Sequence, residues 1–206
     1  MLDYFALLHA PRRPWLDLEG LKQKFLALSA EIHPDRAHNA GETEKAAAQR
    51  NFTELNAAWQ CLREPKDRLG HLLELETGAR PKDTRDVPPA AMDLFFEVGR
   101  ICREADSFLA AKSKTSSPLL QAGMFSEGME LTERLQRLQE RIGRRRDEML
   151  GELKGMNSVW EAAPEPGSAS RAAALPLEEL EGKYRMFSYI ARWMGQIQER
   201  MARLSF

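Results

Sequence analysis

The stretch Leu18-Glu19-Gly20-Leu21-Lys22-Gln23-Lys24-Phe25-Leu26-Ala27-Leu28-Ser29-Ala30-Glu31-Ile32-His33-Pro34-Asp35 decides the fold. Its apolar residues Leu18, Leu21, Phe25, Leu28 and Ile32 recur at alternating steps of three and four, which is one stripe of an α-helix. Asp17 precedes the stripe as an N-cap. Pro34 stops it, because proline pushes the preceding residue out of helical geometry. A polar loop to about Gly41 follows, and a second stripe runs through Ala48, Phe52, Leu55, Trp59 and Leu62. Two amphipathic helices joined by one loop bury their stripes most simply as an antiparallel pair.

Outward from this pair, the sequence predicts a short helix over Tyr4–His9, stopped by Pro11 and Pro14, and another over Lys66–Leu75, opened by Pro65. Thr77 to Pro89 reads as a linker, with Gly78, Pro81, Pro88 and Pro89 among charged residues. The expected organisation is therefore a first domain over residues 1–76, a linker over 77–89 and a second domain over 90–206. The second domain reads as three long helices: about Ala90–Lys112, Pro118 to about Trp160, and Pro176 to the end. A loop rich in Pro, Gly, Ser and Ala over 162–174 separates the last two. The expected class is all-α, a helical hairpin with short helices followed by a three-helix bundle. β-branched residues are scarce, and Leu, Ala, Glu, Arg, Gln and Met dominate.

Among 206 residues, 30 Lys and Arg stand against 31 Asp and Glu, a balance that argues against general nucleic-acid binding. Cys61 and Cys102 lie far apart, with neither a zinc motif nor a disulfide framework around them. His9, His38 and His71 are isolated, so no metal site and no cofactor is expected. Arg144-Arg145-Arg146 spreads around a helix instead of forming one basic face. Neither a phosphate loop nor a nucleophile with its base is evident, so no enzyme activity and no catalytic residue is expected. There is no apolar run of membrane-spanning length, and the acidic start Met1-Leu2-Asp3 is unlike a signal peptide. A cytoplasmic location is expected.

His33-Pro34-Asp35 between two such helices, Asp3-Tyr4-Phe5-Ala6-Leu7-Leu8 before them and Leu55-Asn56-Ala57-Ala58-Trp59 near the end of the pair together resemble a J-domain. That resemblance implies docking on a DnaK/HscA-class chaperone and stimulation of its ATP hydrolysis. His33, Pro34 and Asp35 would carry the signal, and Arg36 and Lys22 would supply the basic contacts. An Asp35 carboxylate suits a bidentate bond to a partner arginine. Lys22 and Lys24 flank the apolar stripe on opposite sides, while Leu26 and Ala27 take the exposed face, so electrostatic steering is expected to be weak.

A glycine/phenylalanine-rich stretch and a cysteine-rich region are missing after this domain. The order of helical hairpin, linker and bundle is similar instead to the HscB-type co-chaperones of iron–sulfur cluster assembly. Arg63-Glu64-Pro65-Lys66-Asp67-Arg68-Leu69-Gly70-His71-Leu72-Leu73, Ala91-Met92-Asp93-Leu94-Phe95-Phe96-Glu97 and the ending Leu204-Ser205-Phe206 carry this second likeness. It implies that the first bundle helix holds a cluster scaffold protein through Met92, Phe95, Phe96 and Glu97, with Met186 on the last helix beside them. By periodicity, about half of the apolar members of that set belong to the bundle core. Gly99 and Arg100 depart from the acidic pattern, and the 162–174 loop is longer than usual. An adaptor for a different client, with a re-specialised bundle, is the alternative.

Overall fold

The computed structural model describes residues 1–33, 41–82 and 87–205, and all of these that are in regular structure are helical. In chain order the helices are α1 (Tyr4–Leu7), α2 (Leu18–Glu31), α3 (Glu42–Arg63), α4 (Pro65–Thr77), α5 (Met92–Lys114), α6 (Pro118–Gly123), α7 (Phe125–Ala162), α8 (Arg171–Ala174) and α9 (Leu177–Leu204). A single 3-10 turn over Pro89–Ala91 leads into α5.

Local chemistry sets these bounds. The Asp3 carboxylate accepts from the Phe5 and Ala6 amides, and Asp17 accepts from Gly20 in the same way. α1 ends earlier than the sequence predicts, because His9 turns into the left-handed region at φ 49°. There the His9 amide donates to the Ala6 carbonyl at 3.1 Å and Ala10 to Phe5 at 2.8 Å, the two bonds of a Schellman motif. Pro65 opens α4 and Gly78, at φ 77°, closes it. The single helix expected from Pro118 is two, α6 and α7, parted at Met124 after Gly123, whose low helix propensity weakens the junction.

The contacts divide the chain into two compact units. One comprises Met1–Lys82 with Leu150–Tyr184; the other comprises Asp83–Met149 with Arg185–Phe206. This division differs from the one drawn at the 77–89 linker, because the C-terminal part of α7, α8 and the start of α9 pack with the N-terminal helices.

In the first unit α2 and α3 run antiparallel. Phe25 stacks on Trp59 with centroids 5.2 Å apart, and His33 meets the Phe52 ring edge-on at 5.3 Å. The base of the pair is fully buried through Leu55, Ala58, Leu62, Leu69 and Leu72. Arg68, 1% exposed, donates from Nε to the Pro14 carbonyl at 2.8 Å and from Nη1 to the Leu62 carbonyl at 2.7 Å. Its charge is thus spread over backbone acceptors. Asn157 on α7 grips the backbone of Trp15 from both sides, accepting from its amide and donating to its carbonyl, each at 3.0 Å.

In the second unit α5, the N-terminal part of α7 and the C-terminal part of α9 form a three-helix bundle. Arg141 pairs with Glu97 and Arg134 with Glu104, a descending register that makes α5 and α7 antiparallel. Arg200 ties α9 to α5 through Asp106 at 2.7 Å. Gly128 lies against Phe108, whose Cζ stands 3.2 Å from where a Cβ would be, so a larger residue there would have to push the ring back by a few tenths of an ångström.

Candidate functional site

Of the expected chaperone-facing residues, Lys22 lies on α2 and His33 just beyond its end. α2 stops at Glu31, with Ile32 as its C-cap, so the chain leaves the helix just before His33. His33 is exposed and rests on the Phe52 ring, an anchorage the sequence reading did not foresee. Pro34, Asp35 and Arg36 lie outside the described residues, as does His38. Lys22 is exposed on the outer face of α2 and has no ionic partner among the described residues. Lys24 is also exposed, and its Nζ donates to the His9 carbonyl at 2.6 Å. One of the two α2 lysines is thus spent on holding the turn after α1.

Leu18 departs from the apolar stripe assigned to it. It is 45% exposed, whereas Leu21, three residues on in the same turn, is buried. Leu18 sits on the flank of the stripe toward Lys22.

His71, isolated in the sequence, is a structural residue. It is buried on α4, and its Nε2 accepts the Tyr4 amide at 3.1 Å. Its ring lies 4.6 Å from that of Tyr4 and 5.9 Å from that of Phe5. Burial is the largest influence on its pKa and pushes it below the usual histidine value, against the pull of Asp3. Cys61 is half-buried and its pKa is pushed up to about 12, chiefly by burial and then by Asp67. Neither residue has the chemistry of a reactive group. Among the described residues no cluster of His, Cys, Asp and Glu suits a metal ion, and no helix is long and apolar enough to cross a membrane.

The second candidate surface is the start of α5. Its buried face is Leu94, Val98, Ile101, Cys102, Ala105, Phe108 and Leu109. Met92, Phe95 and Phe96 fall off that face at 37%, 40% and 62% exposure. The expectation that about half of them are core is therefore not met. The steps from Leu94 to Phe108 already complete a stripe and leave these three outside it. Phe95 and Phe96 meet edge to face at 5.6 Å, and Glu97 beside them is held by Arg141. Met186 is 5% exposed and lies in the core, so its side chain is not part of this surface. Arg100 is bonded to Glu104 at 2.9 Å, and Arg134 shares that carboxylate.

Residues 3–70 match the family model of the DnaJ domain. The chain carries a J-domain. Its helical architecture is also that of solved HscB proteins. The chaperone HscB from Vibrio cholerae is 19% identical, with a TM-score of 0.64, over 98% of this chain and 99% of that one. The human co-chaperone protein HscB is 18% identical, with a TM-score of 0.59, over 98% of this chain and 81% of its own. At such identities the likeness is one of fold. The J-domain match covers α1 to α3 and the first half of α4, and so includes Lys22 and the His33 turn.

Proposed function

We propose that this protein is a co-chaperone that stimulates ATP hydrolysis by a DnaK/HscA-class chaperone and delivers a client to it. The observation that carries the reading is a J-domain whose His33 stands exposed where the chain leaves α2. His33, Pro34 and Asp35 give the signal, with Lys22 and Arg36 as docking contacts. Pro34 restricts the backbone of the turn, and Asp35 offers a carboxylate to a partner guanidinium. The protein transfers no phosphoryl group itself; it favours the partner's hydrolysis-competent state. Residues 1–76 do this work, and residues 90–206, beyond the 77–89 linker, hold the client, at a cytoplasmic location.

Two helical whole-chain relatives of HscB type support an iron–sulfur cluster scaffold protein as the client. The exposed apolar group Met92, Phe95 and Phe96, with Glu97 at its edge, fits a helical protein-binding face. Arg100, exposed one turn after Phe96, favours the second reading, a different client chosen by an altered bundle.

The test is a steady-state ATPase assay with the purified chaperone. Wild type raises the rate, and Asp35→Asn abolishes the rise without lowering the melting temperature. Adding the scaffold protein raises it further, and Phe96→Asp removes that increment alone. Equal stimulation by wild type and Asp35→Asn would end the co-chaperone reading. No response to the scaffold would end the iron–sulfur reading and leave the adaptor.

A further inference from the structure

The end of the three-helix bundle at the α6–α7 junction carries an apolar surface that neither the signature turn nor the start of α5 accounts for. Leu119 and Leu120 on α6 are 82% and 63% exposed, and Phe125 and Met129 on α7 are 69% and 58% exposed. Beside them opens a cavity of about 470 Å³. Phe108, Met124 and Leu204 line it, and they belong to the apolar core at this end of the bundle. One face of α7 lines it too: Phe125, Gly128, Met129, Thr132 and Glu133 follow the spacing of a single helical stripe. Gly128 adds no side chain there, which leaves the hollow open. Lys112, near the end of α5, also borders it. The four exposed side chains present on the order of 500 Å² of apolar surface, near the upper limit for a lone soluble domain.

We infer that two copies of this chain pair through this face about a two-fold axis that passes near Met129. A two-fold contact requires a patch that complements itself, and this one carries protruding apolar side chains next to a hollow. Its charges complement themselves as well. The Arg134–Glu104 and Arg141–Glu97 pairs set the antiparallel register of α5 against α7, which puts Lys112 level with the Phe125 end of the stripe. Glu133 lies two turns further along α7, about 12 Å away. Met129 stands midway, so a two-fold axis there exchanges the two ends and brings each Lys112 to Glu133 of the other copy. Lys112 is half-buried and has no ionic partner among the described residues. Glu133 is exposed and meets only Arg137 of its own helix, at 3.6 Å, a surface pair of little energetic weight. Two such faces together bury about 1,000 Å², where specific interfaces begin, so the dimer is a weak one. Phe96 lies about 18 Å back along α5 from Phe108, so this pairing leaves the surface of Met92, Phe95 and Phe96 open.

The experiment is sedimentation equilibrium of the full chain from about 1 to about 200 µM. Wild type passes from monomer to dimer with a Kd on the order of 10 µM. Phe125→Asp, which puts a charge in the middle of the apolar face, stays monomeric throughout. Lys112→Glu and Glu133→Lys each weaken the dimer about tenfold, because each sets like charges against one another at both ends of the contact. The double variant exchanges the two charges and restores the Kd to within about threefold of wild type. Melting temperatures taken at about 1 µM, where the chain is monomeric, match wild type for the charge variants and set misfolding aside. A wild type that is monomeric at about 200 µM would overturn the pairing. So would a dimer that survives Phe125→Asp, or a double variant as weak as either single one, since the contact would then lie elsewhere or in another register. A monomeric wild type that binds an amphipathic helical peptide at Phe125 would likewise overturn it and give the face to a different partner.

Discussion

Arg171 and Glu76 form the most buried ion pair among the described residues, and cutting it is the sharpest test of how the first unit is held. The side chains are 6% and 3% exposed. Arg171 grips the carboxylate with two prongs, Nε to Oε2 at 2.8 Å and Nη2 to Oε1 at 3.0 Å, and a third donor reaches the Pro164 carbonyl at 2.5 Å. The pair joins the last turn of α4 to α8. Arg12 stands 4.0 Å from the same carboxylate and is itself bonded to Asp3 at 2.6 Å. Arg171→Met keeps the apolar stem but leaves Glu76 buried with Arg12 alone. Removing one partner of a buried pair costs roughly 3–5 kcal/mol, and the residual Arg12 contact sets the expectation at about 3 kcal/mol. For a chain of this size that corresponds to a fall in Tm of roughly 6–12 °C. The double variant Glu76→Leu with Arg171→Met leaves no uncompensated charge and should recover at least half of the loss. Urea unfolding followed by Trp15 and Trp160 fluorescence reads both, since both indoles belong to this unit. A loss below about 1 kcal/mol for Arg171→Met would refute the claim that the pair is desolvated and structural.

Two further outcomes follow from local chemistry. His71 has a folded pKa below its ordinary 6.5, so both states are neutral above that pH and the unfolded chain takes the proton first below it. Stability is therefore full above about pH 6.5 and falls on acidification, and His71→Gln should flatten that fall in Tm measured from pH 7.5 to pH 5; an unchanged acid slope would refute the role of His71. The exposed His9 holds a left-handed conformation that suits glycine, so His9→Gly should stabilise by about 1 kcal/mol in urea unfolding, and a destabilised variant would show that the side chain matters more than the backbone.

The fold was legible wherever spacing alone carries it. Asp17 and Pro65 mark helix ends through local backbone rules, and each acts over only a few residues. The placement of His33 at the end of α2 follows from the same rules. Arg68 and the Arg171–Glu76 pair were not legible, since 95 residues separate the latter partners and no periodicity links them. Nor does sequence show that Lys24 is spent on His9, which requires a left-handed turn at a residue that rarely adopts one. On α5 the needed signal was present: a complete stripe from Leu94 to Leu109 leaves Met92, Phe95 and Phe96 no place in the core. Met186, by contrast, sits among consecutive buried residues of α9, from Tyr184 to Ile190 apart from Arg185, where burial all round hides which face is which.

Buried residues are unevenly placed along the hairpin. All the buried residues of α3, namely Leu55, Ala58 and Leu62, lie in its C-terminal half. α2 has one, Leu21, in its first turn. Toward the turn the contacts are half-buried ones, Leu28, Ile32, Ala48 and Phe52, and the His33–Phe52 ring pair. Local opening free energy follows buried apolar contact, so it must fall from base to tip. Amide hydrogen exchange should show the Leu55–Leu62 amides opening only with the whole unit. The Lys45–Asn51 amides should open at least about 2 kcal/mol more easily. Uniform protection along α3 would contradict this gradient.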